Sequence, residues 1–487
     1  MNTDNQKKSS LVGDVAKVAS GTAVAQGVTV LIAPIITRLY SPDDFGMLGV
    51  FLSIISVVGV NSTLRYHLAI LLPDDDRDAA ALSGLSIICT LSISLLTLLF
   101  LLILSEQIES WFDVVLPSVV YLIIPFAIVV NAGTIIIRQW HIRYRAYGTA
   151  AVSEASQSLG NAGGQLGFGF TGLTSGLFLV LSSVIGQTIA LLIYLQSLPR
   201  KVVFFSRNLF NARRIKEQAL IHRKFPQYST PGGIINKLAW ELPSFLLLFF
   251  FNAEILGFYI LGHRLLRMPV SLIGNSIGQV YFERGVASHK AGNLDVITEL
   301  MQKRLVQLGF FPFLVLTFVG EELFIIFFGS EWAIAGVFTQ ILAIWTFVWF
   351  ISGPLSVVFN ITNSQDKMLR IQALLFILRF IGLLIGGLYG SAILAITLFA
   401  IAGILGYGYL MFQISKIARI SPLHIAQEIF SLWPAVLIFI IVYSMMQLFS
   451  LNTLLITIIS TVLLIGYYLF IFWKEPELKV MVKKLVK

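Results

Sequence analysis

Apolar residues occur along the chain in long stretches separated by short polar breaks, without the alternation of half-buried strands. A run of about 20 such residues, at about 1.5 Å of helical rise each, matches a hydrocarbon layer about 30 Å thick. Each run therefore predicts a helix that satisfies its own backbone within lipid. Fourteen spans are expected, at 15–37, 46–72, 79–104, 116–137, 149–170, 176–198, 228–250, 255–281, 305–320, 335–360, 368–388, 391–413, 430–449 and 453–473. The fold class that follows is an all-α integral membrane protein.

The longest polar connector, 199–227, separates spans one to twelve into two sets of six. Asp43-Asp44-Phe45-Gly46 between spans one and two resembles Glu254-Ile255-Leu256-Gly257 between spans seven and eight, a shift of 211 positions. The same shift carries the end of span six close to the end of span twelve. A duplicated six-helix unit is expected, with the copies related by an axis along the membrane normal and a cavity between them. The expected organisation is an N-terminal lobe at 1–198, a basic connector at 199–227, a C-terminal lobe at 228–413, and two additional helices with a basic tail at 414–487.

Composition agrees with this: of 487 residues, 57% are hydrophobic and only 12% charged, against about 25% charged in soluble domains. The net charge of +9 would suit nucleic acid, but its distribution points to topology instead. One set of loops carries Lys7, Lys8, Arg77, Arg138, Arg143, Arg145, Arg284, Lys290, Lys303, Arg304, Lys367, Arg370, Lys416, Arg419, the tail and the basic connector. The other carries only Arg38, beside Glu106, Glu109, Asp113, Glu321, Glu322 and Glu331. Both termini are thus expected in the cytoplasm, and no nucleic-acid partner is implied. Asp14 and Lys17 interrupt what would be a signal-peptide core, so the first helix is read as retained. The single cysteine, Cys89, lies in an apolar run and is read as an inert thiol.

Charged side chains inside spans are costly and become the first functional candidates. They are Lys17, Arg65, Glu154, Lys237, Glu241, Arg264, Arg267 and Arg379. Arg264 and Arg267 lie roughly 13 to 18 Å into span eight at about 1.5 Å per residue, beyond easy snorkelling. They share a face, with His263 one turn from Arg267 and Pro269 loosening the helix just beyond. Lys237 and Glu241 are likewise one turn apart, so mutual neutralisation and a ligand role for Lys237 both stand. Arg379 has no acid near it in sequence, and Arg65 lies towards one end of span two. An excess of guanidinium groups suits an anionic cargo, because the planar fork matches phosphate and stays charged. The cationic candidates for substrate binding are Arg65, Lys237, Arg264, Arg267 and Arg379. Glu241 and His263 are the candidates for pairing or proton linkage.

Other signals carry less. The stretch GNAGGQLGFG at 160–169 lacks the strand and the Lys-Ser/Thr end of a nucleotide loop. Gly160 with Gly164, and Gly163 with Gly167, have the small-xxx-small spacing of close helix packing. The acids at 74–78 precede span three, where they suit a helix N-terminus better than a metal. No hydrolytic or redox motif is visible, so neither an enzyme nor a cofactor is expected.

Four segments carry a family likeness: Thr37 to Gly46 (TRLYSPDDFG), Thr63-Leu64-Arg65-Tyr66, Phe225 to Pro231 (FPQYSTP) and Arg267 to Gly274 (RMPVSLIG). With these the chain resembles the Wzx-type oligosaccharide flippases, the polysaccharide branch of the multidrug/oligosaccharidyl-lipid/polysaccharide (MOP) superfamily. The resemblance implies a MATE-like fold of two six-helix bundles working by alternating access in the bacterial inner membrane. It implies an undecaprenyl-pyrophosphate-linked oligosaccharide as cargo, for O-antigen, lipopolysaccharide, capsule or exopolysaccharide synthesis, with polymerase machinery and membrane lipids as partners. The alternative is a MATE-like cation or drug exporter, which should line its route with acids. A polymerase or ligase should carry a large outward loop, whereas the longest here is about fifteen residues.

Overall fold

A computed structural model of the protein describes residues 25–107, 117–144, 146, 148–198, 209–421 and 423–475. Lys7, Lys8, Asp14, Lys17, Glu109, Asp113, Arg145, Arg200, Lys201, Arg207 and the tail beyond Glu475 lie outside the described residues. The rest is helical, with no strand among the described residues. The chain divides into two compact units, Met1–Gly257 and Phe258–Lys487.

The first unit begins with α1 (Ala25–Leu39). It continues through α2 (Pro42–Ile54), which runs into a π-helical turn at Ile55–Gly59, then the short α3 (Tyr66–Ala69). Next come α4 (Asp76–Ile103), α5 (Ser118–Arg143), α6 (Gly148–Phe170), α7 (Gly176–Gln196) and, in the connector, α8 (Ala212–Ile221). A second π-turn, Phe225–Ser229, leads into α9 (Thr230–Phe250), after which α10 (Ala253–Pro269) starts in the first unit.

The second unit takes up the rest of α10, a third π-turn at Val270–Gly274, α11 (Asn275–Ala291) and the long α12 (Leu294–Phe328). There follow α13 (Ala333–Ser352), a break at Gly353-Pro354, α14 (Val358–Ile361), α15 (Gln365–Leu388) and α16 (Ala392–Ala418). The last are α17 (His424–Ser431), α18 (Trp433–Leu448) and α19 (Thr453–Lys474).

Ten of these helices or joined runs are long and apolar enough to cross a membrane, and an eleventh if α17 and α18, bent by 54°, form one span. Length and composition among the described residues thus pick out ten or eleven of the fourteen expected spans. The described parts of the expected spans fall on helices. The first ten residues of span one lie outside the described residues, α6 (GTAAVSEASQSLGNAGGQLGFGF) is polar, and α10 combines 17 residues with Glu254, His263, Arg264 and Arg267. Span two also differs from the expected continuous 46–72 helix. It breaks after Asn61, and Leu64 and Arg65 are left-handed at φ 47° and 59° before α3 resumes.

Local chemistry explains where the helices start. Ser41 and Asp44 form a reciprocal capping box on α2, with Pro42 in the first turn. At the start of α10, Asn252 accepts a bond from the Ile255 amide at 2.9 Å. Ser41 and Asn252, Pro42 and Ala253, and Gly46 and Gly257 are each 211 positions apart. The two starts also pack on each other reciprocally. A Cβ on Gly46 would lie 1.9 Å from the Ala253 carbonyl oxygen, and one on Gly257 would lie 1.9 Å from that of Pro42. Two copies of one motif, each touching the other through the same positions, is the contact a local two-fold axis produces.

Elsewhere in the first unit, Gly160 and Gly164 of α6 pack on Gly186 and Ser182 of α7, whereas Gly163 and Gly167 face open space. One of the two small-residue pairs thus makes a helix contact. The acidic run caps α4: Asp75 accepts from the Arg77 amide, Asp76 pairs with Arg143 at 2.9 Å, and Asp78 pairs with Arg214 of α8 at 2.6 Å. Burial, then the hydrogen bond to Asp76, pushes the Tyr144 phenol up to about 12. In the second unit α19 is tied to α12. The Tyr467 and Tyr468 hydroxyls donate to the carbonyls of Gln307 and Leu308, and Glu475 receives Lys303 at 2.8 Å and Arg304 at 2.7 Å.

Candidate functional site

In the first unit the charges of spans two and seven meet on one face of α9. Thr230, Gly233, Ser244 and Leu248 of α9 are buried, and Lys237 and Glu241 lie on the same stripe at helical spacing. Across from it stand α2 and its π-turn. The Ser53 hydroxyl of α2 donates to Glu241 Oε2 at 2.8 Å. One turn back, Lys237 is half-buried and, among the described residues, forms no ion pair with Glu241. One further turn back, the Arg65 guanidinium covers Gly233, where a Cβ would lie 2.3 Å from Nη2 and 2.5 Å from Cζ and Nε. Arg65 Nε donates to Asn61 Oδ1 at 3.3 Å.

Arg65 is held there by the backbone. Asn61, Ser62 and Thr63 are buried polar residues in the helix break, and each is bonded: Asn61 Nδ2 to the Val57 carbonyl at 2.8 Å, Ser62 Oγ to that of Gly59 at 2.8 Å, and Thr63 Oγ1 with His67 Nδ1 at 2.6 Å. His67 is buried on α3, bound within this network. Non-glycine residues in the left-handed region cost roughly 1–3 kcal/mol each and persist only where surroundings impose them. Two in succession, Leu64 and Arg65, set the direction in which the arginine leaves the chain. Glu154, on α6, is half-buried.

In the second unit the expected cations take different positions. Arg267 is exposed and Arg264 half-buried on α10. Arg379 of α15 is 7% exposed, with Cζ 4.9 Å from the ring centre of Trp345, 5.0 Å from Phe399 and 5.3 Å from Tyr407. Such contacts contribute about 2 kcal/mol or more when desolvated. His263 lies between Tyr259 and Trp345, nearly parallel to both at 11° and 9°, and Trp345 is in turn parallel to Trp349 at 8°. Neither the aromatic enclosure of Arg379 nor the seat of Arg65 on Gly233 was anticipated. The spacing Tyr259-His263 and Trp345-Trp349, each one helical turn, was a signal for the ring column.

Two of the three π-turns fall on segments that carry the family likeness, and the third lies just before one. Phe225–Ser229 lies in FPQYSTP, Val270–Gly274 directly follows Arg267-Met268-Pro269, and Ile55–Gly59 precedes Thr63-Leu64-Arg65-Tyr66. π-turns are often found at functional sites. Among the described residues no group of three or more His, Cys, Asp or Glu is placed to hold a metal ion.

A family described as Polysaccharide biosynthesis protein matches residues 35–337. The chain belongs to that family. The matched part of the chain holds Arg65, Lys237, Glu241, His263, Arg264 and Arg267, and ends before Arg379 and the last helices. No curated protein matches the sequence. Among solved structures, Lipid II flippase MurJ in an inward closed conformation aligns over 96% of this chain and 99% of its own, with TM-score 0.68 and 12% identity. A mutant of the Vibrio cholerae MATE transporter VcmN aligns over 85% of this chain and 99% of its own, with TM-score 0.53 and 16% identity. A MOP superfamily transporter from Pyrococcus furiosus aligns over 83% and 96%, with TM-score 0.52 and 12% identity. The protein is therefore a multi-pass membrane protein that shares its fold with these structures.

Proposed function

We propose that the protein is a flippase that carries an undecaprenyl-pyrophosphate-linked oligosaccharide from the cytoplasmic to the periplasmic leaflet by alternating access. It serves O-antigen, capsule or exopolysaccharide assembly in the bacterial inner membrane, with both termini cytoplasmic and a polysaccharide polymerase acting on its product. The observation that carries this reading is the α9 face. Arg65 is seated on Gly233, one turn of α9 before Lys237, and the neighbouring acid, Glu241, accepts from Ser53. Fixed cations in apolar surroundings without a carboxylate partner are costly. A diphosphate offers two linked groups with the oxygen geometry that guanidinium and ammonium donors match. Arg264 and Arg267, with Arg379 behind its aromatic rings, extend the cationic set in the second unit. A MATE-like cation or drug exporter is less well supported, because acids are outnumbered among the span charges.

The test is a deletion strain and reconstituted proteoliposomes. Deletion is expected to trap lipid-linked oligosaccharide in the cytoplasmic leaflet, and purified protein to move a polyprenyl-diphosphate sugar across a vesicle membrane. Arg65→Ala with Lys237→Ala should abolish that movement, as should Arg264→Ala with Arg267→Ala. Full transport by both double variants would remove the site assignment. Absence of any accumulation in the deletion strain would remove the flippase reading.

A further inference from the structure

We infer that Gly233 and Asn61 are positioning residues for Arg65, and that together they decide which edge of its guanidinium is offered to a phosphate-bearing anion. This rests on the reading of the α9 face as an anion site. A guanidinium has two edges able to bind an anion with paired N–H groups, one using Nε and one using both terminal nitrogens. Asn61 Oδ1 takes the Nε hydrogen at 3.3 Å. Its own amide nitrogen is fixed by the Val57 carbonyl in the π-turn at 2.8 Å, so the side chain cannot flip without losing that bond. The terminal Nη1/Nη2 edge is what remains for an anion.

Gly233 fixes the plane. Any side chain there would overlap the guanidinium, since an ideal Cβ comes within 2.3–2.5 Å of three of its atoms. The close seat lets the arginine lie flat against the α9 backbone. There its charge stays one turn from Lys237 on the same face. The left-handed pair Leu64-Arg65 completes the arrangement by sending the side chain off the broken helix towards α9. A diphosphate would thus meet a prealigned fork and an adjacent ammonium, with little ordering left to do on binding.

The experiment uses full-length protein in lipid nanodiscs. Modification of Arg65 by phenylglyoxal, read by mass spectrometry, is followed with and without inorganic pyrophosphate. Wild type should react slowly and be protected further by pyrophosphate. Gly233→Ala should react faster and lose the protection. Transport by Gly233→Ala should fall roughly ten- to a hundredfold, the scale of losing one hydrogen bond to a charged group. In an Arg65→Ala background the same change should add nothing. Arg65→Lys should partly rescue Gly233→Ala, because the slimmer ammonium stem clears the added methyl. Asn61→Leu, which keeps size but removes the acceptor, should raise reactivity by itself and stands in should Gly233→Ala fail to fold. Unchanged Arg65 reactivity in both variants, or additive losses in the double variant, would overturn the inference. If the wild type moves no lipid-linked sugar but the reactivity and protection behave as expected, the flippase reading fails and the positioning role stands.

Discussion

Gly46 and Gly257 touch: a Cβ on Gly257 would lie 3.1 Å from the Gly46 amide nitrogen and 1.9 Å from the Pro42 carbonyl oxygen. The contact joins the starts of α2 and α10, which share a cap, a spacing and a glycine at the crossing. It turns a weak sequence likeness into a geometric one, since the repeated positions are the ones that meet.

The crossing predicts that even one methyl is too many. Gly46→Ala and Gly257→Ala should each cost about 1–3 kcal/mol as overpacking changes do, lowering the melting temperature of the purified protein. Gly163→Ala and Gly167→Ala, whose added Cβ would meet nothing within 4 Å, should leave it unchanged or slightly raised. Equal effects in both pairs would mean that the close approach is not limiting.

The docking of α8 separates charge from fit. Arg214 pairs with Asp78 at 2.6 Å, but its side chain is 30% exposed, and such pairs contribute about 0–1 kcal/mol. A Cβ on Gly84 would instead fall 1.7 Å from the Leu209 carbonyl oxygen. Limited proteolysis of the connector should therefore accelerate strongly in Gly84→Leu and little in Arg214→Ala.

The rings around Arg379 predict a graded series. Trp345 is fully buried between His263, Arg379 and Phe399, so Trp345→Ala should cost about 3–5 kcal/mol of stability. Trp349 is half-buried at the end of the column, and Trp349→Ala should cost less. Thermal denaturation of the two variants side by side checks the order.

Acid should loosen the last helix. The hydrogen bond from Lys303, then those from Arg304 and Gln307, hold Glu475 down to about 2 from an ordinary 4.5, against the opposing effect of burial. A depressed carboxylate stabilises fully above its unfolded value, and the contribution is lost as pH falls from about 4.5 towards about 2. Hydrogen exchange at the end of α19 should rise over that window in wild type. In Glu475→Gln it should already be fast at neutral pH and change less on acidification.

Membrane class and helix positions were legible because lipid leaves the backbone no alternative to internal bonding, and apolar length records that demand directly. The likeness of the segments around Gly46 and Gly257 was legible, but the caps were not read from it: α2 starts at Pro42, four residues before the expected 46, because Ser41 and Asp44 cap it. Length and composition alone pass over two of the expected spans, because α6 keeps Ser, Gln and Gly through its length, and α10 carries Glu254, His263, Arg264 and Arg267. The left-handed turn at Leu64-Arg65 has no glycine or proline to announce it. What it serves, the seat of Arg65 on Gly233, involves a residue remote in sequence. Arg379 looked like a bare cation because the rings that enclose it come from α13 and α16.

A π-turn is an α-helix that has accommodated one surplus residue. Excising a single residue from Val270–Gly274 would heal the winding and leave the faces of α11 in register, whereas the same excision within α11 would swing every side chain beyond it by roughly 100° about the axis. The same holds for Ile55–Gly59 and the arginine downstream of it. A one-residue gap at these two places should therefore be easier to tolerate than a gap one turn further along either helix.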